Sequence, residues 1–274
     1  MTKKPPALSD LRREIDRIDE AMHRLLMERG DIIDTLIKVK NTQESGSAFR
    51  PAREADMMRR LVERHKGILP LDTAESIWRT IISTFTFVQA PFSVHADMTP
   101  GDAAMRDSAR FHFGFTAPLV THIGAAGAVA AVNASKGDIG LVPATSASGA
   151  WWQMLEAADA PKIIARLPFV ERADHPAGLP VFAISHPAED AIVRDVTVWS
   201  VRVSGWTAAT GGALGPLAEV VAVPDKTLDG AALLVSVAGD FEHVASALKK
   251  AGVTVRSHTL VGSHATRYTV DARA

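Results

Sequence analysis

Residues 8–40 read LSDLRREIDRIDEAMHRLLMERGDIIDTLIKVK, without proline and with one glycine, Gly30. Leu11, Ile15, Ile18, Met22, Leu25, Ile32 and Leu36 recur on a 4-3-4-3 spacing, with Arg29 in the slot between Leu25 and Ile32. That period predicts one helix with an apolar, coiled-coil-like seam. At 1.5 Å per residue the helix is a rod of about 50 Å. A module of about 80 residues cannot cover so long a seam, so the stretch predicts a partner for the rod. Ser9 and Asp10 offer it an N-terminal cap.

A polar break, Asn41 to Gly46, ends the rod. Pro51 suits the first position of a second helix carrying Met57, Met58, Leu61 and Val62. Asp72-Thr73-Ala74-Glu75 reads as a capping box. It opens a third helix with Ile77, Ile81, Phe85 and Val88 on one face, fading before Pro91. Residues 92–108 read as a linker.

Beyond residue 100 the texture changes to short strands, read at 111–115, 139–142, 181–184, 196–203, 219–223, 233–237, 253–260 and 266–270. Helical stretches at 125–134 and 241–251 lie between some of them. Such alternation predicts an α/β or α+β region. The expected architecture is multidomain, α plus α/β, with a helical domain over 1–98 and a second region over 99–274.

Thirty basic against thirty-one acidic residues leave a net charge of −1, which implies neither a nucleic-acid surface nor a polybasic membrane anchor. The chain has no cysteine, which excludes disulfides, thiolate nucleophiles and Cys-ligated zinc. Met1 to Pro6 run into a polar helical pattern with no apolar core of a signal peptide, and no run of about 18 uncharged apolar residues follows. The cytoplasm is the expected compartment.

Two polar residues occupy positions that the apolar pattern reserves for a core. Arg29 lies in the seam of the first helix, and Gln89 lies on the Ile81–Phe85 stripe of the third. A buried charge is costly unless paired. Each residue therefore marks either an internal ion pair, a frayed seam or a ligand. Arg29 and Lys40 are eleven residues apart, about three turns, and share a face on which both can converge on one small anion. Arg12 is about 25 Å from Arg29 along the axis and roughly a quarter-turn away. It is either a surface residue or is presented by an antiparallel partner.

These residues sit in motifs that resemble a known family. Leu11-Arg12-Arg13-Glu14-Ile15-Asp16, Leu25-Leu26-Met27-Glu28-Arg29 and Lys38-Val39-Lys40 resemble the first helix of the all-helical (AroQ-type) chorismate mutases. Arg50-Pro51-Ala52-Arg53-Glu54-Ala55 is similar to that family's turn into its second helix, and residues 81–89 to the end of its third. The likeness covers about 80 residues. It implies an intertwined homodimer that rearranges chorismate to prephenate with no cofactor or metal. By the same likeness, Arg29 and the partner's Arg12 clamp the two substrate carboxylates. Lys40 and Gln89 donate hydrogen bonds to the ether oxygen, and Glu54 binds the ring hydroxyl. Arg53 is adjacent, and Phe85 forms a wall of the site. Met58 and Phe85 stand where some members carry polar residues, implying a drier wall.

Further on, Gly137-Asp138-Ile139-Gly140-Leu141-Val142-Pro143 resembles a stretch of prephenate dehydratase domains, which in some bacteria follow such a mutase module. The dehydratase catalytic segment is replaced here by Pro143-Ala144-Thr145-Ser146, and Pro180-Val181-Phe182 is at best a relic of its Thr-Arg-Phe signature. The likeness implies a degenerate, periplasmic-binding-protein-like region, with 195–274 loosely resembling an ACT-type module through Gly212-Ala213-Leu214. The competing readings are a bifunctional mutase/dehydratase, an isochorismate-pyruvate lyase and a non-catalytic small-molecule sensor. Trp151 and Trp152 are expected in a core. His258 and His264 are expected in packing or surface roles.

Overall fold

The computed structural model describes residues 7–40, 47–99, 101–144, 149–188, 192–223 and 230–270. The decisive stretch is one 33-residue helix, α1 (Leu8–Lys40). Its seam lies open within a single chain: Leu11 is 47% exposed, Ile15 56% and Leu25 59%. Ser9 and Asp10 fall inside its first turn rather than at a cap, and Asp10 pairs with Arg13. The expected break at 41–46 lies outside the described residues.

Helix α2 (Pro51–Arg64) starts on its proline, as the fixed φ of that residue favours. Helix α3 (Leu71–Gln89) follows Pro70 with no side-chain cap, which corrects the expected capping box. Asp72 and Glu75 instead hold Arg172, with Arg172 Nη1 donating to Glu75 at 2.7 Å, and His175 Nε2 lies 3.1 Å from Glu75. Charge-assisted bonds of this kind are roughly twice as strong as neutral ones, so the carboxylates leave the helix end for the guanidinium. The core face of α3 is also corrected. Ile77 and Val88 are exposed, while Ala74, Glu75, Arg79, Ile82, Ser83 and Thr86 are buried.

Strand β1 (Val94–Asp97) and helix α4 (Asp102–Phe113) replace the expected linker and the strand expected at 111–115. Phe111, Phe113 and Phe115 alternate as in a strand. The helix is set by Met105, Ser108, Ala109, His112 and Phe113, which recur at helical spacing and are all buried. Because β1 lies inside a sheet, the helical part ends at Gln89 rather than near residue 98.

The remaining elements are β2 (Leu119–His122), α5 (Ala125–Asn133), β3 (Ile139–Pro143), a 3-10 turn at Trp151–Leu155, β4 (Lys162–Leu167), β5 (Val170–Glu171) and β6 (Val181–Ser185). They continue with β7 (Val196–Ser204), α6 (Ala208–Gly211), a 3-10 segment Gly212–Leu217, β8 (Ala218–Ala222), β9 (Ala231–Val237), α7 (Phe241–Lys250), β10 (Thr254–His264) and β11 (Tyr268–Thr269). One nine-stranded sheet runs β2-β1-β3-β6-β4-β10-β7-β9-β8, and β5 pairs with β11 in a second.

The large sheet is two units joined edge to edge. In the first, β1 is parallel to β2 and β3, and β6 runs antiparallel to β3 and β4. In the second, the order β10-β7-β9-β8 is wholly antiparallel, and the chain runs β-α-β-β-α-β as in ferredoxin-like modules. The two meet where Gly262 of β10 pairs in parallel with Ile163 of β4.

Helices α2 and α3 do not stand apart from the sheet. Phe49, Met58, Leu61 and Ile82 share one buried cluster with Phe92, Val94, Met105, Phe113, Leu167 and Val181. On the other face, Trp151 and Trp152 pack with Val129, Ile163 and Phe182. Leu214 is buried beneath α7 with Phe241 and Val244, so the Gly212–Leu214 element contributes to packing.

Two buried imidazoles are expected to make the fold acid-sensitive. Burial, the Arg79 charge and His175 hold His112 well below the ordinary histidine value. His264 donates Nδ1–H to Ala265 O at 2.8 Å, and burial lowers its pKa to about 4. Between that value and the unfolded value of about 6.5 the unfolded chain binds more protons, so stability falls as pH falls. The urea midpoint is therefore expected to drop from pH 6.5 toward 4, with His264 contributing at most about 3 kcal/mol. Urea titrations of wild type and His264→Gln check this: the variant should show a shallower fall, and equal slopes would count against it.

Candidate active site

Helices α1, α2 and α3 enclose a cleft whose apolar wall is built from Ile33, Leu36, Met57 and Ile82. Arg29, Arg50, Arg53, Glu54, Phe85 and Gln89 also line it. The helix periodicity explains the convergence. Phe85 and Gln89 are one turn apart on α3, and Arg53 and Glu54 lie in the first turn or so of α2.

The guanidinium of Arg29 lies over the Phe85 ring, 4.3 Å from its centroid. Its Nη1 is buried and has no hydrogen-bond partner among the described residues. Burial, and then the Arg53 charge, press its pKa below the ordinary arginine value, although a guanidinium stays protonated in proteins. Gln89 Nε2 donates to Phe85 O at 2.9 Å, which fixes the rotamer of the amide. Arg50 Nη1 donates to Ser47 O at 2.9 Å and to Phe49 O at 3.1 Å, pinning the segment that enters α2.

Glu54 is the single carboxylate of the lining among the described residues, and it is already matched. Arg79 Nη1 donates to its Oε2 at 2.7 Å, with both side chains almost fully buried. Burial raises the Glu54 pKa, against which the Arg79 charge, the Arg79 hydrogen bond and the Arg50 backbone act. With Glu54 offset by Arg79, Arg29 and Arg53 leave the described lining with a positive excess. Such a cleft suits a small polyanion with an apolar body.

The structure therefore brings together Arg29, Arg53, Glu54, Phe85 and Gln89 from the residues expected in a site. Lys40 closes α1, and its side chain lies outside the described residues. Arg12 is exposed on the distal part of α1, seventeen residues or about 25 Å from Arg29, and does not join the cleft of its own chain. Met58 is corrected: it is fully buried in the core shared with the sheet, and Met57 faces the cleft instead. Arg50 and Arg79 were not legible as site residues. Arg79 follows Glu75 and precedes Ser83 at four-residue spacing, a polar stripe that looks like a solvated helix face until α4 covers it.

Of the dehydratase-like segment, Thr145 and Ser146 lie outside the described residues, and Val181 and Phe182 are core residues of β6. His258 packs on Phe241, with ring centroids 4.5 Å apart. Among the described residues, no group of three or more potential ligands could hold a metal ion. No helix among them is long and apolar enough to cross a membrane.

Known proteins resemble parts of this chain. A bifunctional chorismate mutase/prephenate dehydratase from Neisseria gonorrhoeae is 32% identical over 106 residues, 39% of this chain and 28% of that protein. One from Aquifex aeolicus is 29% identical over 140 residues, 50% of this chain and 38% of that protein. The matches thus span less than two fifths of these relatives' length. An X-ray structure of prephenate dehydratase from Streptococcus mutans aligns over 66% of this chain and 100% of that one, with 9% identity and a TM-score of 0.35. Residues 11–90, which contain every side chain lining the cleft, match the family model of chorismate mutase type II.

Proposed function

We propose that the protein is a chorismate mutase that converts chorismate to prephenate in the cytoplasm, acting as a homodimer through α1. The observation that carries this reading is Arg29, a half-buried cation stacked on Phe85 with no described carboxylate to neutralise it. A group left in that state is poised for an anionic ligand.

The reaction is a unimolecular [3,3] rearrangement in which an ether C–O bond breaks as a C–C bond forms. Arg29 and the partner's Arg12 would hold the two carboxylates and keep the flexible dianion in a reactive, chair-like conformer. Negative charge grows on the ether oxygen as the bond breaks. Lys40 and the Gln89 amide, aimed at that oxygen, would stabilise the transition state more than the ground state. Glu54 would accept the ring hydroxyl, and Arg53 would add positive potential at the rim. Two features favour the dimer: the open seam of α1, and the distance of Arg12 from its own cleft.

The test is incubation of the full chain with chorismate. Loss of chorismate with stoichiometric prephenate is expected. Inert chorismate, or release of free pyruvate from isochorismate, would replace the reading with that of a sensor or a lyase. The bifunctional relatives motivate one additional arm, in which phenylpyruvate formed from prephenate would assign dehydratase activity to the α/β region.

A further inference from the structure

Helix α3 carries a polar stripe on its buried face, and that stripe docks on the end of α4. Arg79 Nη2 donates to His112 O at 2.9 Å, and Ser83 Oγ donates to Phe113 O at 2.7 Å. Both acceptors belong to the last turn of α4, where carbonyls have no intrahelical donor. That end also carries the negative pole of the helix dipole, which favours a guanidinium. The other arm of the same fork, Nη1, donates to Glu54 at 2.7 Å. Arg79 is 1% exposed and lies over the Phe169 ring at 5.1 Å.

A buried ion pair of this kind adds little net stability, because desolvation offsets much of the attraction. What a rigid guanidinium fork does fix is geometry. Here it ties a carboxylate in the wall of the cleft to a helix of the α/β region. The shared core under α2 and α3 gives the tie a firm base, since Met58 and Ile82 pack with Met105 and Phe113.

We propose that Arg79 is a positioning residue for the mutase reaction, acting through Glu54, and that α4 is thereby a structural part of the mutase site. The inference rests on the reading of the cleft as the chorismate site. Arg79 itself touches no substrate. It holds the Glu54 carboxylate in one orientation, and its second arm needs α4 in place. The α/β region is then required for full mutase activity, whatever else it does.

The test is a kinetic double-mutant cycle in the full chain. Arg79→Met is expected to raise KM for chorismate by about tenfold with a smaller change in kcat, as loss of uniform binding would. In a Glu54→Gln background the same replacement should add less than about twofold, because the group it positions is already gone. Ser83→Ala removes the neighbouring bond to α4 without touching Glu54, and it should lower stability with KM unchanged. If Arg79→Met does not fold, Arg79→Lys decides. It keeps the charge but cannot span both acceptors, so KM should rise by about fivefold. A wild-type KM in Arg79→Lys, or penalties that multiply fully with those of Glu54→Gln, overturns the inference alone. A wild-type chain that leaves chorismate unchanged overturns the functional reading and this inference with it.

Discussion

Replacing Arg29 with alanine is expected to lower kcat/KM for chorismate by about two to three orders of magnitude, while leaving the fold as stable as before or more stable. Truncating one side of a desolvated, hydrogen-bonded charge pair typically costs about 2–5 kcal/mol, and each 1.4 kcal/mol is about a factor of ten. Because a carboxylate is held in both the ground and transition states, most of the loss should appear in KM. The stability half of the prediction is the more diagnostic. Arg29 is pressed against Phe85 with a buried Nη1 that has no hydrogen-bond partner among the described residues. An empty site therefore carries an uncompensated desolvation cost, which alanine removes. Steady-state kinetics and urea midpoints on the same preparations check both halves. A parallel loss of stability and activity would mark Arg29 as a structural ion. Arg29→Lys should recover part of the activity, since it keeps the charge but loses the planar fork and the ring stacking.

The largest effect on stability is expected at Gly262, where the two units of the sheet are sewn together. Its φ is +156°, and a Cβ there would lie 2.2 Å from Ile163 O and 2.6 Å from Ile163 N and Cβ. No rotamer relieves a contact between a Cβ and a neighbouring strand's backbone, so β10 and β4 would have to part at their pairing point. Gly262→Ala is expected to cost about 3 kcal/mol or more, from the strained backbone and the lost junction together. For a chain of this size that corresponds to a midpoint lower by about 6–12 °C. Thermal denaturation followed by circular dichroism measures it, and an unchanged midpoint would mean that the junction contributes nothing to stability. Gly124, by comparison, also has a positive φ, but no atom lies within 4 Å of an added Cβ. Alanine there should be far milder.

The helical part of the fold was legible because it depends on local signals. The 4-3 spacing of α1, the proline opening α2 and the apolar run of α3 each act within a few turns. What the sequence hid is set by contacts far along the chain. Glu75 looked like half of a capping box, yet its partners Arg172 and His175 lie about a hundred residues away. Helix α4 looked like a strand because Phe111, Phe113 and Phe115 alternate, while its helical signal sits in small residues such as Ser108 and Ala109. The four-residue strand β1 is too short for periodicity to register, although it has neighbours on both sides in the sheet.

The cleft divides in the same way. Arg29 and Gln89 stood out because a charged or amide side chain interrupts an apolar stripe, a conflict visible in one dimension. Arg79 raised no such conflict, since Glu75, Arg79 and Ser83 resemble an ordinary wetted face until α4 is laid over them. Arg12 belongs to a third kind. Its position on the rod excludes it from its own cleft, so one folded chain gives it no role; the family likeness read in the sequence assigns it to the site of a second chain.

Mixing two variants tests the shared-site account most directly. At chorismate concentrations below the wild-type KM, Arg12→Ala and Arg29→Ala should each be nearly inactive as pure proteins. After co-refolding in equal amounts, half of the dimers are mixed if pairing is random, and each mixed dimer has one site with both arginines intact. The mixture should therefore regain about a quarter of wild-type chorismate mutase activity. Activity that stays at the average of the two pure variants after exchange of subunits would contradict an anion site completed by Arg12 of a second chain.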